Sequence, residues 1–386
     1  MTENSIICNF INDNGDSWRE VLCEQYPSVK MKEEYPLAIF NYGIEADFAD
    51  PLIQEARGII INVKTKDVVC FPFRKFGKWD EYYADTIDWS SARVQEKLDG
   101  SIIKLWWNDI TKEWQFSTNS TINAKDAHIH LDDDTNFLDI IKMAVNYGDI
   151  PFETLDKTCT YIFELESPYT KVVIPHTITK LIHIGTRSNI TGKEFSVDIG
   201  IEKPEEYSLG SLEQCLQAID SFCTKNGKDG KISGIEHEGF VVVDKYYNRI
   251  KIKGRIYMIL HSLTECPKRT KDILIEMLWN NEISIIGMIS QVPEYSTLIK
   301  YYDFKLDELR TNAANIVHFA RRIYKMSDNN RKEVALNIKD CELSAVGFRS
   351  LDNCMTSDDI LLQFGFSQIA KLIPTYQPLE FIYKHN

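Results

Sequence analysis

The chain has 386 residues, a formal net charge of −13 at pH 7, 44% hydrophobic residues and 26% charged residues, a composition typical of a folded protein large enough for two domains. The acidic balance argues against a protein that coats nucleic acid non-specifically. No apolar run approaches the length of a membrane span, the amino terminus lacks a secretory pattern, and the nine cysteines are scattered without metal-binding spacing. We therefore expect reduced thiols and a cytoplasmic location, in the host cytoplasm for a viral protein.

The first segments alternate between helical and extended patterns. Residues from Asn12 to about Glu34 are predicted to be partly helical, and Leu37–Tyr42 is predicted to be a strand. A further strand is predicted at Glu55–Val63. At its start, Arg57 is suited to a forked contact with a phosphate or carboxylate, and the alternative is a salt bridge with Glu55 or another acid.

Aromatic and cationic side chains then mix in Phe71–Phe76, which includes Lys75. Such mixtures suit base stacking and phosphate contacts, and they are equally common at the edge of a core.

The stretch Val94–Lys104 is the centre of the functional argument. Its β-branched and apolar residues flank an Asp99-Gly100 turn, which predicts a strand, a tight turn and a second strand. In extended chain, Lys97 and Asp99 point to the same face. A lysine is a nucleophile only as the neutral amine, which burial or nearby cations favour. Taken alone, however, this pattern favours a solvated hairpin.

Later segments up to about residue 262 are predicted to be mainly strands of an antiparallel meander. Within one of them, Glu164 and Glu166 share a face, and we interpret Glu164 as a candidate site residue and Glu166 as part of a polar sheet face. In another, Lys251 and Lys253 share a face and require an anion or nearby carboxylates. The predicted strands are Ser101–Trp107, Glu113–Thr118, Thr160–Glu166, Lys171–Ile174, Lys180–Thr186, Ile235–Val243 and Arg249–Lys253, and the predicted helices are Asn136–Tyr147 and one that begins at Ser211.

The hydrophobic periodicity changes from two to helical near residue 265. We therefore predict an α+β domain of mainly antiparallel sheets with helices at residues 1–264, and an all-helical domain at residues 265–386. Five basic residues near the predicted break after Met326 are compatible with an RNA backbone or with a solvated helix surface. They are Arg321, Arg322, Lys325, Arg331 and Lys332.

Read together, several short motifs resemble the covalent nucleotidyltransferase superfamily, and in detail the ATP-dependent RNA ligases of the T-even phage type. The motifs that carry the resemblance are Glu55-Ala56-Arg57-Gly58, Lys97-Leu98-Asp99-Gly100-Ser101, Phe163-Glu164, Lys180-Leu181-Ile182, Glu238-Gly239-Phe240-Val241, Lys251-Ile252-Lys253 and Tyr257-Met258-Ile259-Leu260-His261. The resemblance covers about residues 35–262, and such relatives carry a helical tail of similar length.

This resemblance implies a three-step reaction. The Lys97 amine attacks the α-phosphate of ATP, AMP passes to an RNA 5′-phosphate, and a 3′-hydroxyl then seals the strand. It implies magnesium as the metal, RNA ends that include those of tRNA as substrates, and an end-healing kinase-phosphatase as a partner.

The resemblance also implies roles for individual residues. Magnesium would be held by Asp99, Glu164 and Glu238, with one of the glutamates on the ribose instead. The nucleotide would contact Tyr42, Arg57, Lys75, Glu164, Glu238, Lys251 and Lys253, and Tyr257 lies in the last shared motif.

The chain departs from these relatives at three places. Gly77-Lys78 stands where they have an aromatic residue and asparagine, Thr118-Asn119-Ser120 where they often have a lysine, and Asn281-Glu282 where an aspartate can touch metal. The alternatives are a capping-type guanylyltransferase or DNA ligase, which normally carries an OB-fold after the Lys251 strand, and an RNA-end-binding protein without catalysis.

Overall fold

The computed structural model describes residues 5–129, 135–170, 172–222, 236–265, 269–352 and 355–376. The chain divides into two compact units, residues 1–258 and 259–386, and the division falls within helix α6, Arg255–Glu265. The domain boundary at 264/265 stays a prediction.

The first unit contains three antiparallel sheets. A four-stranded meander has the order β1-β2-β3-β4, a five-stranded sheet the order β10-β9-β8-β6-β7, and a second four-stranded sheet the order β11-β5-β12-β13. The strands are β1 Val29–Glu34, β2 Leu37–Tyr42, β3 Arg57–Asn62, β4 Asp67–Cys70, β5 Arg93–Lys97, β6 Ser101–Asn108, β7 Glu113–Ser117, β8 Cys159–Glu166, β9 Lys180–Ser188, β10 Glu194–Phe195, β11 Glu206–Tyr207, β12 Gly239–Val243 and β13 Arg249–Lys253.

Helices cover the outer faces of these sheets. They are α1 Ile6–Asn14, α2 Trp18–Gln25, α3 Pro51–Glu55, α4 Phe137–Met143 and α5 Leu212–Phe222. Apolar residues of α1 and α2 share a buried cluster with the meander, those of α4 with the five-stranded sheet, and those of α5 with the third sheet.

The meander and the five-stranded sheet also pack against each other. Ile39 and Ile60 of the meander share a buried cluster with Trp106 of β6. Burial of each such side chain contributes about 1.5–3 kcal/mol to the free energy of folding. In the five-stranded sheet, β8 pairs with β6 on one side and β9 on the other, and all of its residues are buried. The end of β8, which carries Glu164, is therefore held rigidly in the interior.

The region predicted to be partly helical contains the end of α1 and all of α2, and its last part forms β1, because the alternating exposure there suits an edge strand that pairs with β2. One local prediction in the first unit is wrong. Residues 172–174 of the predicted strand Lys171–Ile174 form bends instead, while Lys171 lies outside the described residues. The amide groups of Val173 and Ile174 donate to Asp99 rather than to a strand.

The second unit is helical in its described part. After α6 it contains α7 Thr270–Trp279, α8 Ile283–Ile289, α9 Pro293–Met326, α10 Arg331–Ile338, α11 Ser344–Arg349, α12 Ser357–Leu362 and α13 Phe366–Leu372. The α+β class with a helical carboxyl-terminal region is thus confirmed, and Gly365 lies at the amino-terminal cap of α13. Among the described helices none has the length and apolar character needed to cross a bilayer.

Candidate active site

Two neighbouring strand pairings bring Lys97 and Lys253 together. The residue Gly239 of β12 pairs with Lys97 of β5 on one side and with Lys253 of β13 on the other. The preceding residue, Glu238, lies between the two lysines. Its Oε2 is 2.7 Å from Lys97 Nζ and its Oε1 is 2.8 Å from Lys253 Nζ. One carboxylate, whose side chain is only 3% exposed, therefore holds both ammonium groups.

The Asp99 side chain anchors the turn that follows Lys97. Its Oδ2 accepts hydrogen bonds from the amide groups of Val173 (2.9 Å) and Ile174 (2.6 Å), and its Oδ1 accepts one from the Tyr257 hydroxyl at 2.6 Å. Burial, together with the nearby carboxylates of Glu238 and Asp99, raises the pKa of Tyr257, so this phenol stays a donor. Asp99 thus positions the turn, and its role as a metal ligand stays a prediction.

Gly100 lets this turn approach β8 closely. A Cβ atom at this position would lie 2.4 Å from the carbonyl oxygen of Leu165, so any side chain would push the turn away from the strand. The close approach sets Lys97 near Glu164. Burial raises the pKa of the Glu164 carboxyl group to about 7, against the opposing effect of the Lys97 charge.

A cavity of about 760 Å³ opens beside these residues. Six of the predicted site residues line it, namely Arg57, Lys75, Lys97, Glu164, Lys251 and Lys253. The other four lie outside its lining: Tyr42, Asp99, Glu238 and Tyr257. Each of these four contacts a lining residue or the Lys97 turn, so the structure brings all ten predicted residues to one region.

Arg57 and Lys75 lie among aromatic rings. The Arg57 guanidinium lies 5.1 Å from the Phe76 ring centre, donates to the Arg74 carbonyl group at 3.3 Å, and has a buried Nε without a partner. Lys75 Nζ lies 5.1 Å from the ring centre of Tyr42 and 3.4 Å from its hydroxyl oxygen. Aromatic faces attract these cations without neutralising them.

The alternative partner for Arg57, the neighbouring Glu55, serves another purpose. Its carboxylate accepts hydrogen bonds from the Ser5 hydroxyl (2.9 Å) and the Ile7 amide (2.8 Å), and so caps the start of α1. The carboxylate of this motif is structural, and Arg57 is left to the cavity.

Lys251 is a strongly perturbed cation of the site. Burial, together with the positive charges of Lys75, Lys253 and Arg57, lowers its pKa to about 7. The nearby Glu81 charge offsets this effect only in part. An anion that enters the cavity therefore stabilises the charged form of Lys251.

Sequence reasoning missed three residues near the cavity. Phe73 and Asn119 line it, and Lys104 is fully buried behind it. The signal for Lys104 was present, because a lysine stands inside the apolar run Ile102-Ile103-Lys104-Leu105-Trp106. Asn119 lies in the segment Thr118-Asn119-Ser120, which departs from the lysine that the relatives often have there, but this departure does not by itself predict a role in the site.

Comparison with known proteins identifies the family. A family model of the T4-type RNA ligases, described as RNA ligase, matches residues 55–257, which is more than half of the chain. The chain belongs to this RNA ligase family. The family prediction made from the motifs is confirmed. The motifs from Glu55 through Lys253 fall within the matched segment, which ends at Tyr257, the first residue of the last motif.

Individual relatives are distant. The "Putative bifunctional polynucleotide kinase/RNA ligase" of Autographa californica nuclear polyhedrosis virus is 26% identical over 308 residues, which cover 73% of this chain and 41% of that protein. The RNA ligase of Rhodothermus phage RM378 is 23% identical over 316 residues, covering 64% of this chain and 69% of that protein. The chain thus spans less than half the length of the viral relative.

Among solved structures, form 2 of an archaeal ATP-dependent RNA ligase is similar with a TM-score of 0.44 and 12% identity, over 80% of this chain and 82% of that one. Form 1 has a TM-score of 0.42 and 11% identity, over 76% and 78% of the two chains.

Proposed function

We propose that this protein is an ATP-dependent RNA ligase that joins a 3′-hydroxyl to a 5′-phosphate through a covalent lysyl-AMP on Lys97. The observation that carries the proposal is the placement of the Lys97 amine on a cavity wall that also holds Arg57, Lys75, Lys251 and Lys253. Four further cations around one lysine suit a triphosphate, whose charge they offset.

In the first step, the nitrogen of Lys97 forms a bond with the α-phosphorus, and the bond to pyrophosphate breaks. The attack requires the neutral amine, whereas Lys97 Nζ lies 2.7 Å from the Glu238 carboxylate. The amine must therefore leave Glu238 and lose a proton before it reacts. Lys253 shares the same carboxylate, so the release of Glu238 affects both lysines together.

Magnesium fits this site only as an ion that keeps most of its waters. No cluster of three or more histidine, cysteine or acidic side chains with metal-binding geometry occurs within the described ranges. Asp99 already accepts three hydrogen bonds, while no hydrogen bond to the Glu164 carboxylate occurs among the described residues. We assign Glu164, with Glu238 once released, as the carboxylates that hold the ion. A bound magnesium ion supplies charge that stabilises the phosphates during transfer.

In the second and third steps, AMP passes to the RNA 5′-phosphate and the 3′-hydroxyl displaces it. The reaction requires one RNA end with a 3′-hydroxyl and one with a 5′-phosphate. A polynucleotide kinase-phosphatase produces such ends from breaks that carry other terminal groups. The viral relative's name joins kinase and ligase, which supports such an enzyme as a partner and a role in repairing RNA, including tRNA.

We assign recognition of the RNA to residues 265–386. Their basic cluster is partly committed to structure, because Arg321 donates to the carbonyl groups of Ser350 and Met355 and Arg331 pairs with Asp352. Arg322, Lys325 and Lys332 are the members to test. Replacing these three with glutamate should weaken RNA joining and leave formation of lysyl-AMP unchanged, and equal loss of both would contradict this assignment.

The test of the central proposal is incubation with α-phosphate-labelled ATP and magnesium, followed by a denaturing gel. Wild-type protein should become labelled, and Lys97→Met should lose the label by at least about a thousandfold because no other group replaces the nucleophile. The matched control is Lys112→Met, since Lys112 is exposed and does not line the cavity.

GTP run in parallel separates the alternatives. Label from GTP alone would indicate a capping-type enzyme, and folded protein that takes label from neither nucleotide would indicate RNA-end binding without catalysis. Joining of RNA rather than DNA ends then separates RNA ligase from DNA ligase. The described part of the second unit contains helices only, which disfavours the OB-fold expected of the capping and DNA-ligase alternatives.

A further inference from the structure

A fully buried lysine lies behind the cavity, outside the set of residues assigned above. Lys104 in β6 has no exposed surface, and its Nζ donates to the carbonyl oxygens of Gly58 (2.9 Å) and Thr118 (2.5 Å). Within the described ranges, no carboxylate lies at ion-pair distance from it. Burial lowers its pKa to about 8, so the ammonium form still predominates at pH 7. A buried cation held only by carbonyl groups is costly, which points to a function that offsets the cost.

The backbone around Lys104 is shaped to accept it. Gly58 has a φ angle of +83°, and a Cβ atom there would lie 2.3 Å from Lys104 Nζ and 2.8 Å from Asn119 Cα. Glycine at this position is thus required both by its backbone conformation and by the space that Lys104 and Asn119 occupy.

The two carbonyl groups belong to segments that line the cavity. Gly58 follows Arg57 at the start of β3, and Thr118 precedes Asn119 just after β7. Lys104 therefore ties a segment of the meander to a segment of the five-stranded sheet. Arg57 and Asn119 both line the cavity. Each is next in sequence to a residue whose carbonyl group accepts a hydrogen bond from Lys104, so the position of each depends on Lys104.

Both of these lining residues carry a buried polar atom without a partner. Arg57 Nε is a donor and Asn119 Oδ1 is an acceptor, and neither has a hydrogen-bond partner among the described residues. Buried polar groups are normally satisfied. The cavity wall therefore suits a ligand that accepts a hydrogen bond from Arg57 Nε and donates one to Asn119 Oδ1.

We propose that Lys104 is a positioning residue that holds Arg57 and Asn119 where they bind the nucleoside triphosphate, with Arg57 donating to a phosphate oxygen and Asn119 accepting from an N–H or O–H group of the nucleoside. This inference rests on the proposed function and adds two residues to it. It makes Lys104 and Asn119 determinants of nucleotide affinity rather than of the chemical step.

The test compares Lys104→Met, which keeps the length of the side chain and removes its charge, with wild type. The dissociation constant for ATP is measured by titration without metal, and KM and kcat are measured for labelling with ATP. Lys104→Met should raise the dissociation constant and KM by at least about tenfold and change kcat much less, because the nucleophile is untouched. A matched control is Ile162→Val, a buried neighbour opposite Lys104 on β8, which lowers stability without altering the two carbonyl groups.

A double-mutant cycle with Asn119→Ala separates positioning from general destabilisation. If Lys104 acts in part through Asn119, the effect of Lys104→Met on ATP affinity should be at least about threefold smaller in the Asn119→Ala background, and the effect that remains is the part that acts through Arg57. Additive effects, or a Lys104→Met protein that binds ATP as wild type does, would overturn the proposal. Equal weakening by the stability-matched Ile162→Val would overturn it as well.

Further variants and the wild-type result keep the proposal testable if Lys104→Met does not fold. If Lys104→Met does not fold, it is replaced by Lys104→Gln, whose side-chain amide group can still donate hydrogen bonds. If neither variant folds, Asn119→Ala alone must still weaken ATP binding. Wild-type protein that binds no ATP would end both this inference and the proposed function. Active wild type with an unaffected Lys104 variant would end only the inference.

Discussion

Two clusters of charge around the cavity differ in how they are neutralised. The Lys97 cluster, comprising Lys97, Asp99, Glu238, Lys253 and Tyr257, is internally paired, and one carboxylate serves two lysines. The Arg57 cluster, comprising Arg57, Lys75, Lys104, Asn119 and Lys251, is held by aromatic rings and backbone carbonyl groups. In the Lys97 cluster, a carboxylate of the protein itself pairs with the reactive lysine. In the Arg57 cluster, the positive charges are paired only when an anionic ligand binds.

The largest effect on this comparison is expected from Lys251, a cation on the cavity wall whose pKa is lowered by burial and by neighbouring positive charges. Replacing Lys251 with methionine should weaken ATP binding and slow labelling by about 100-fold, because a buried cation no longer meets the phosphates. At pH 8 the wild-type side chain, with a pKa of about 7, is mostly neutral. Triphosphate binding raises its pKa, so wild type should take up about one proton more than the variant.

The proton uptake is measured by titration calorimetry at pH 8 in two buffers of different ionisation enthalpy, without metal. Lys251→Arg is the matched control because arginine stays charged, and it should bind ATP without that uptake. Uptake that is the same in wild type and both variants would show that Lys251 enters the complex in its resting protonation state.

A second, intermediate effect concerns Glu164, the one carboxyl group on the cavity wall with a strongly raised pKa. Between pH 4.5 and 7 the folded protein retains a proton that the unfolded chain has lost, so this group makes stability fall as the pH rises through that window. Glu164→Gln removes this loss, and its free energy of unfolding should exceed that of wild type by about 1–3 kcal/mol above pH 7. Labelling should fall by about 10- to 100-fold.

Chemical denaturation at pH 5 and pH 8 provides the measurement, and Glu113→Gln on exposed sheet surface is the control. A stability difference between variant and wild type that is independent of pH would contradict the raised pKa. Unchanged labelling would remove Glu164 from the assigned metal and nucleotide contacts.

The smallest effect is expected from Tyr257, which supports the Lys97 cluster from behind. Tyr257→Phe keeps the ring, whose centre is 5.0 Å from Lys253 Nζ, and removes the hydroxyl that donates to Asp99. The variant should lose about 1–3 kcal/mol of stability, since a buried carboxylate oxygen loses a donor. Labelling should fall by less than about tenfold, because the amides of Val173 and Ile174 still hold Asp99.

Thermal unfolding of Tyr257→Phe is compared with that of Tyr246→Phe, whose ring is 69% exposed. If both variants unfold at the wild-type temperature, the hydrogen bond to Asp99 contributes nothing, and the paired character of the Lys97 cluster rests on Glu238 alone.

Local periodicity was sufficient for part of the site. The alternation in β13 placed Lys251 and Lys253 on one face with Ile250 and Ile252 on the other, and the structure has that arrangement. Glu166 was interpreted as part of a polar sheet face, and it is instead 8% exposed and pairs with Lys180 at 3.5 Å. Exposure of a strand face depends on what packs against it, which an alternating pattern does not state.

By itself, the sequence determined the family, the change from sheet to helix, and ten of the residues that lie in or beside the cavity, because motifs and periodicity are local properties of the chain. Only the tertiary structure decided that Glu238 bridges two lysines, that Glu55 caps a helix, that Asp99 anchors a turn and that Lys104 joins two sheets. Each of these depends on partners 14 to 158 residues away, and on strand registers that no local pattern specifies.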